Sequence, residues 1–292
     1  MFAIFTDTSS NLPSEFLTKN DIKAIPLTYL LDGEEHSGIT NPDEFDGHDY
    51  YTKIRHASEV QTSQIPPQRY IDSFSPALEA GCDILFIGMS SGISGSFNAA
   101  SIAAEQLRAD FPDRKICLVD TLAASLGEGI YVMDAVKLRD DGVDVEKAAE
   151  IIEDNKKNMY QVVVVEDLKY LHRTGRVSAK AAIIGSVLNI KPILKGDPAG
   201  TLVVIDKVSG KKNGIKYLAE KYKELVVNAE EQVVGIVHAD APEDADLLEK
   251  LINEINPPKE LIKITYEPVT GSHVGPGTVA LFYKGGADVR EH

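Results

Sequence analysis

Residues 86–107, FIGMSSGISGSFNAASIAAEQL, pass from an apolar run through a Ser- and Gly-rich loop into Ala-rich helical sequence. Ser90, Ser91, Ser94 and Ser96 offer hydroxyl donors, and Gly92 and Gly95 let backbone N–H groups come close to a ligand. A helix beginning there adds the positive end of its dipole. Such a loop could hold a carboxylate or a phosphate without a lysine. It contains neither G-x-G-x-x-G nor G-K-[ST], so it is no dinucleotide or P-loop cradle. Gly88-Met89-Ser90-Ser91-Gly92 does match the G-x-S-x-G nucleophile elbow, and Asp206 or Asp240 with His273 completes the order Ser…Asp…His. Against a hydrolase, GISGS separates Ser90 from the helix, and no HGGG-type oxyanion loop is present. A loop that only caps its helix is the third reading.

Three further stretches carry polar groups in unusual company. VQTSQIPPQRY (60–70) places Thr62 and Ser63 before two prolines, where they could cap the following helix or face a ligand. EDLKYLHRTGRVS (166–178) sets Arg173 and Arg176 around Gly175, either as a solvated basic turn or as a contact for phosphate or a partner. VTGSHVGPGTVAL (269–281) reads as a glycine-rich loop around His273, which could bond an anion or a water. His36, His48, His56 and His238 have no metal-ligand spacing.

These groups need a framework. FAIFT (2–6), DILFIG (83–88) and KICLVD (115–120) are short apolar runs suited to buried parallel strands, and IKAIPLTYLL (22–31) is another apolar run. Helical sequence over 42–57, 67–80, the stretch after Ser96, 122–140 and 144–158 separates or follows them. A second set of strands is expected at 160–168, 190–194, 202–206, 232–239, 261–267 and 278–284, with helices near 210–225 and 242–254. Alternation of this kind implies an α/β protein of two domains, 1–158 and 159–292.

The chain has 292 residues and a formal net charge of −15, from 30 basic and 45 acidic side chains, which disfavours nucleic acid as a partner. The two cysteines, Cys82 and Cys117, lack CxxC spacing and fit buried thiols in a reducing compartment. The start, MFAIFTDTSS, is too polar for a signal peptide, and no apolar run approaches the roughly 20 residues that span a bilayer. A cytoplasmic protein without membrane insertion is expected.

In order along the chain stand a first strand ending in Asp7, Thr62-Ser63-Gln64, the loop Ser90 to Ser96, D-L-x-Y-L-x-R-x-G-R over Asp167 to Arg176, I-K-P-I-L over Ile190 to Leu194, and Gly271 to Gly277 around His273. This ordered set resembles the DegV family over nearly the whole chain. The family's members are fatty-acid-binding proteins, among them the FakB type, which presents a bound acyl chain to a fatty acid kinase. The resemblance implies a parallel-sheet three-layer α/β/α domain and a second α/β domain with a mixed sheet of about six strands. It implies a long-chain fatty acid as ligand, a carrier rather than an enzyme, and no further cofactor or metal. It places the carboxylate between Thr62, Ser94 and His273, with Ser63 and Gly95 also binding the lipid, the tail between the domains, and a kinase contact at Arg173 and Arg176. One departure stands out: DKVSGKK has Ser209 where the family's K-V-R-x-x-K-K pattern has arginine.

Overall fold

The structure, a computed structural model, describes residues 2–57, 59–178 and 189–292. Strand β1 (Phe2–Asp7) ends in a tight turn, because the Asp7 carboxylate accepts from Ser9 N at 2.8 Å. Helix α1 (Ser14–Lys19) follows Pro13, which is pre-set for a helix start. The apolar run 22–31 does not form one strand. Pro26 has no N–H to give to a ladder, so β2 (Lys23–Ile25) pairs with β1 while β3 (Thr28–Leu31) leaves for another sheet. Asp32 and Gly33 (φ 50° and 86°) form the hairpin turn to β4 (Glu34–Ser37). Helix α2 (Gly47–His56) and β5 (Val60–Ser63) complete this excursion. The antiparallel sheet β4-β3-β5 has no counterpart in the reading of the sequence, which saw strand, then helix, and no third sheet.

Helix α3 (Pro67–Glu79), β6 (Asp83–Gly88), α4 (Ser96–Asp110), β7 (Ile116–Asp120), α5 (Leu126–Asp140) and α6 (Val145–Asn155) return the chain to alternating α/β sequence. The resulting sheet is all parallel, in the order β2-β1-β6-β7. Phe86 of β6 meets Tyr70 of α3 and Phe97 of α4, with ring centroids 5.3 and 6.4 Å away. Asp144 caps α6 by accepting from Glu146 N and Lys147 N.

The second sheet is mixed, in the order β10-β9-β8-β13-β11-β12. Its strands are β8 (Met159–Val164), β9 (Ile190–Gly196), β10 (Leu202–Ser209), β11 (Val233–His238), β12 (Glu260–Thr265) and β13 (Val279–Lys284). Helix α7 (Lys169–Arg173) follows β8, α8 (Lys211–Leu225) follows β10, α9 (Pro242–Ile255) follows β11, and α10 (Pro268–Val274) follows β12. Side chains on a strand alternate between faces. Val162 and Val164 therefore join the core beneath α8 and α9, while Val163 joins the core shared with the parallel sheet. Among the described residues no helix is long and apolar enough to cross a membrane.

Arg290 ties these parts together. It is 2% exposed and donates to the carbonyls of Met159 (3.0 Å), Leu122 (2.6 Å) and Lys156 (3.0 Å). Leu122 itself is left-handed, with φ 53°. Replacing Arg290 by Met leaves these buried acceptors without their donor, and a loss of about 2–4 kcal/mol is expected. Urea unfolding measures it. A loss below about 0.5 kcal/mol would mean that water satisfies the carbonyls instead.

Candidate functional site

Ligands of open parallel sheets gather at the carboxyl ends of strands where the strand order reverses. Here the reversal falls between β1 and β6, and the loop after β6 is the Ser/Gly stretch. In front of it lies a cavity of about 360 Å³, walled by both halves of the chain. Leu27 and Met89 face Val163, Leu171, Leu202 and Phe282 across it, and most of its wall is apolar.

One end is polar. Thr62 Oγ1 lies 3.0 Å from His273 Nε2, joining β5 to α10. Ser94 Oγ accepts from Ser96 N at 3.2 Å and lies 3.0 Å from Ser96 Oγ, which in turn accepts from Ile65 N at 3.1 Å. Gly95 is the residue before α4, and Gln64 packs against it. Ser63 is exposed at the end of β5 but borders the cavity. Neither Thr62 nor Ser63 caps α3, whose preceding residue is Pro66 with no side-chain cap.

His273 is not in a flexible loop. It occupies the last turn of α10, because the Glu267 carboxylate caps Val269 N and Thr270 N, Pro268 fits the first turn, and Gly275 (φ 80°) ends the helix. Its Nδ1 is buried with no hydrogen-bond partner among the described residues. Burial, and then the nearby charges of Arg176 and Arg173, lower the imidazole pKa to about 3. The ring is therefore neutral near pH 7, with one N–H to donate. A carboxylate beside it would favour protonation.

The two arginines separate. Arg176 lines the cavity and is half-buried, with Nε donating to Ile93 O at 3.1 Å and the guanidinium also bonding Thr174 O. It braces the Ser/Gly loop from the other half of the chain. Arg173 is exposed and lies over the Tyr170 ring, 5.2 Å from its centroid.

The elements of a hydrolase do not assemble. Ser90 is fully buried, donates to Gly200 O at 2.8 Å and accepts from Gly92 N at 3.1 Å. His273 is bonded to Thr62, Asp206 is exposed, and Asp240 holds His48 and Arg55 at 2.8 and 2.6 Å. No group of three His, Cys, Asp or Glu side chains among the described residues could hold a metal ion.

Several contributors escape sequence reasoning. Glu267 precedes Pro268 and was hidden by reading its segment as a strand end. Tyr50 and Tyr51 of α2 seat α10, donating to Pro268 O and Tyr266 O at 2.7 Å each. Gln161 lies in an apolar run, yet faces the cavity. Only the period of two along β8 could have separated it from Tyr160 and Val162.

Burial raises the Glu267 pKa to about 7. The folded protein thus holds a proton that the unfolded chain releases near 4.5. Stability from this proton is complete below pH 4.5 and lost as pH rises through about 7. Glu267→Gln removes the titration. The melting temperature of the wild type should fall relative to the variant between pH 5 and pH 8. Parallel melting curves across that range would disprove the effect.

The DegV family model matches residues 1–285. A DegV domain-containing protein of Clostridium perfringens is 36% identical over 285 residues, covering 97% of each chain. The fatty acid binding DegV family protein of Streptococcus agalactiae superposes with a TM-score of 0.85 at 28% identity, covering 98% of this chain and 99% of that one. A Thermotoga maritima protein described as revealing fatty acid binding function gives 0.85 at 26% identity, covering 97% and 99%. Sequence and fold agree along the whole length, and the chain belongs to the DegV family.

Proposed function

We propose that this protein binds one long-chain fatty acid, with its tail in the cavity and its carboxylate at Thr62, Ser94 and His273, and presents that carboxylate to a fatty acid kinase. The observation that carries the reading is an apolar cavity ending in neutral donors, where the buried His273 Nδ1 has no partner among the described residues. A volume of about 360 Å³ fits a small amphipathic ligand. Fatty acid binding by the Streptococcus agalactiae and Thermotoga maritima relatives supports the same ligand class.

The chemistry is consistent with a carrier. Each methylene removed from water contributes roughly 0.8 kcal/mol, so the tail supplies most of the affinity. The hydroxyls and neutral imidazole then orient the head group without neutralising it, and a carboxylate oxygen keeps its nucleophilicity for phosphoryl transfer by a separate enzyme. Ser209 ends β10 opposite Ile190 and does not line the cavity.

Protein purified from cells should release about one acyl chain per protein chain on organic extraction. No acyl species, together with no uptake of added oleate or palmitate, would end the proposal. Thr62→Ala, Ser94→Ala and His273→Ala should each weaken binding by about 1.5–3 kcal/mol with the fold intact. Three variants with wild-type affinity and wild-type phosphorylation would remove the head-group assignment.

Arg173, exposed on an acidic protein, suits an electrostatic contact with the kinase, whereas Arg176 is engaged in bracing the loop. Arg173→Ala should slow acyl phosphate formation and leave bound lipid unchanged, and added salt should mimic it in the wild type. Arg176→Ala should lower thermal stability and acyl content together. The opposite pattern would exchange the two roles.

A further inference from the structure

We propose that Gln161 is the chain-length stop of the cavity, a polar side chain fixed across its inner end. This rests on the fatty-acid reading above. Strand β8 carries Gln161 and Val163 on the cavity face and then leads to α7 and Arg176. Two residues of strand advance about 7 Å, so Gln161 lies that much farther from the head-group end than Val163. The neighbouring strand agrees. Phe282 pairs with Gln161 and Ala280 with Val163, while β13 begins only a few residues after His273. The Gln161–Phe282 rung therefore closes the end opposite the carboxylate site.

The amide is held from two sides. Gln161 Nε2 donates to Leu122 O at 3.1 Å, and Oε1 accepts from Ala124 N at 3.4 Å. The Leu122 carbonyl also accepts from Arg290, so the stop is anchored to a buried, fully engaged guanidinium. A methyl terminus pressing on Gln161 would have to break these bonds in a dry site, a cost an apolar wall would not impose. Behind the amide stand Gly196 and Gly127. A Cβ at Gly196 would overlap Gln161 Nε2, and one at Gly127 would come within 3.5 Å of Oε1. Trimming Gln161 thus opens space against two residues that have no side chain to fill it.

The test is competition. Wild-type protein and Gln161→Ala are offered an equimolar mixture of saturated fatty acids of graded length, and the bound species are extracted and measured by mass spectrometry. Each added methylene buried changes affinity about fourfold. Room for roughly two more should therefore raise the bound ratio of longer to shorter chains by about fifteenfold. Ala124→Leu, which adds bulk beside the amide, should shift the profile the other way and gives an independent readout if Gln161→Ala fails to fold. Circular dichroism and melting curves of both variants separate a shifted profile from a general loss of structure. An unchanged length profile in the folded variants overturns the stop. If the wild type binds no acyl chain at all, the fatty-acid reading fails first and the stop falls with it.

Discussion

The bond between Thr62 Oγ1 and His273 Nε2 joins the two halves of the chain where the cavity turns polar. Thr62 arrives on the small antiparallel sheet and His273 on the short helix after β12, 211 residues later. Each needs its own support. Thr62 pairs with Tyr29 across the sheet that Pro26 splits from the parallel one. His273 depends on a seven-residue helix, too short to be stable alone. The Glu267 cap, the two tyrosine hydroxyls of α2 and the Gly275 terminus hold that helix in place.

Much of this was legible in sequence. The parallel strands, the second set of six and the helices between them follow from period and length, because buried strands and amphipathic helices leave different apolar spacings. The candidate residues were legible through their order along the chain, since each stretch alone had a plain structural explanation. What escaped was conformation set by distant partners. The segment around His273 has the glycines of a loop, yet the buried Glu267 carboxylate caps it as a helix. Arg173 and Arg176 look alike three residues apart, yet one reaches the Ile93 carbonyl and the other solvent. The third sheet was invisible because a proline inside an apolar run can bend a strand or divide it between sheets, and local sequence does not decide which.

The interior near the site is acidic. Asp7, Glu128 and Glu267 are nearly or fully buried, and burial raises the pKa of each. Glu128 is held by the hydroxyls of Thr6 and Ser9 at 2.7 and 2.6 Å, and Asp7 by Ser9 N. Their partners are hydroxyls and backbone N–H groups, whose hydrogen bonds offset part of that rise without a cation. A further carboxylate entering this region would meet like charge if they were ionised.

The same balance explains why the site can do without a lysine. A cation in contact with the head group would bind the carboxylate more tightly, but on the proposed reading it would also draw charge from the oxygen that attacks a phosphoryl group. Placing Arg176 on a backbone carbonyl of the loop keeps its field in the cavity while its Nε and Nη1 donate to Ile93 O and Thr174 O. That field adds to burial in keeping the His273 imidazole neutral. On the proposed reading, affinity resides in the tail, orientation in neutral donors, and reactivity in the ligand itself. That is the division of labour a carrier needs if a second protein is to perform the chemistry.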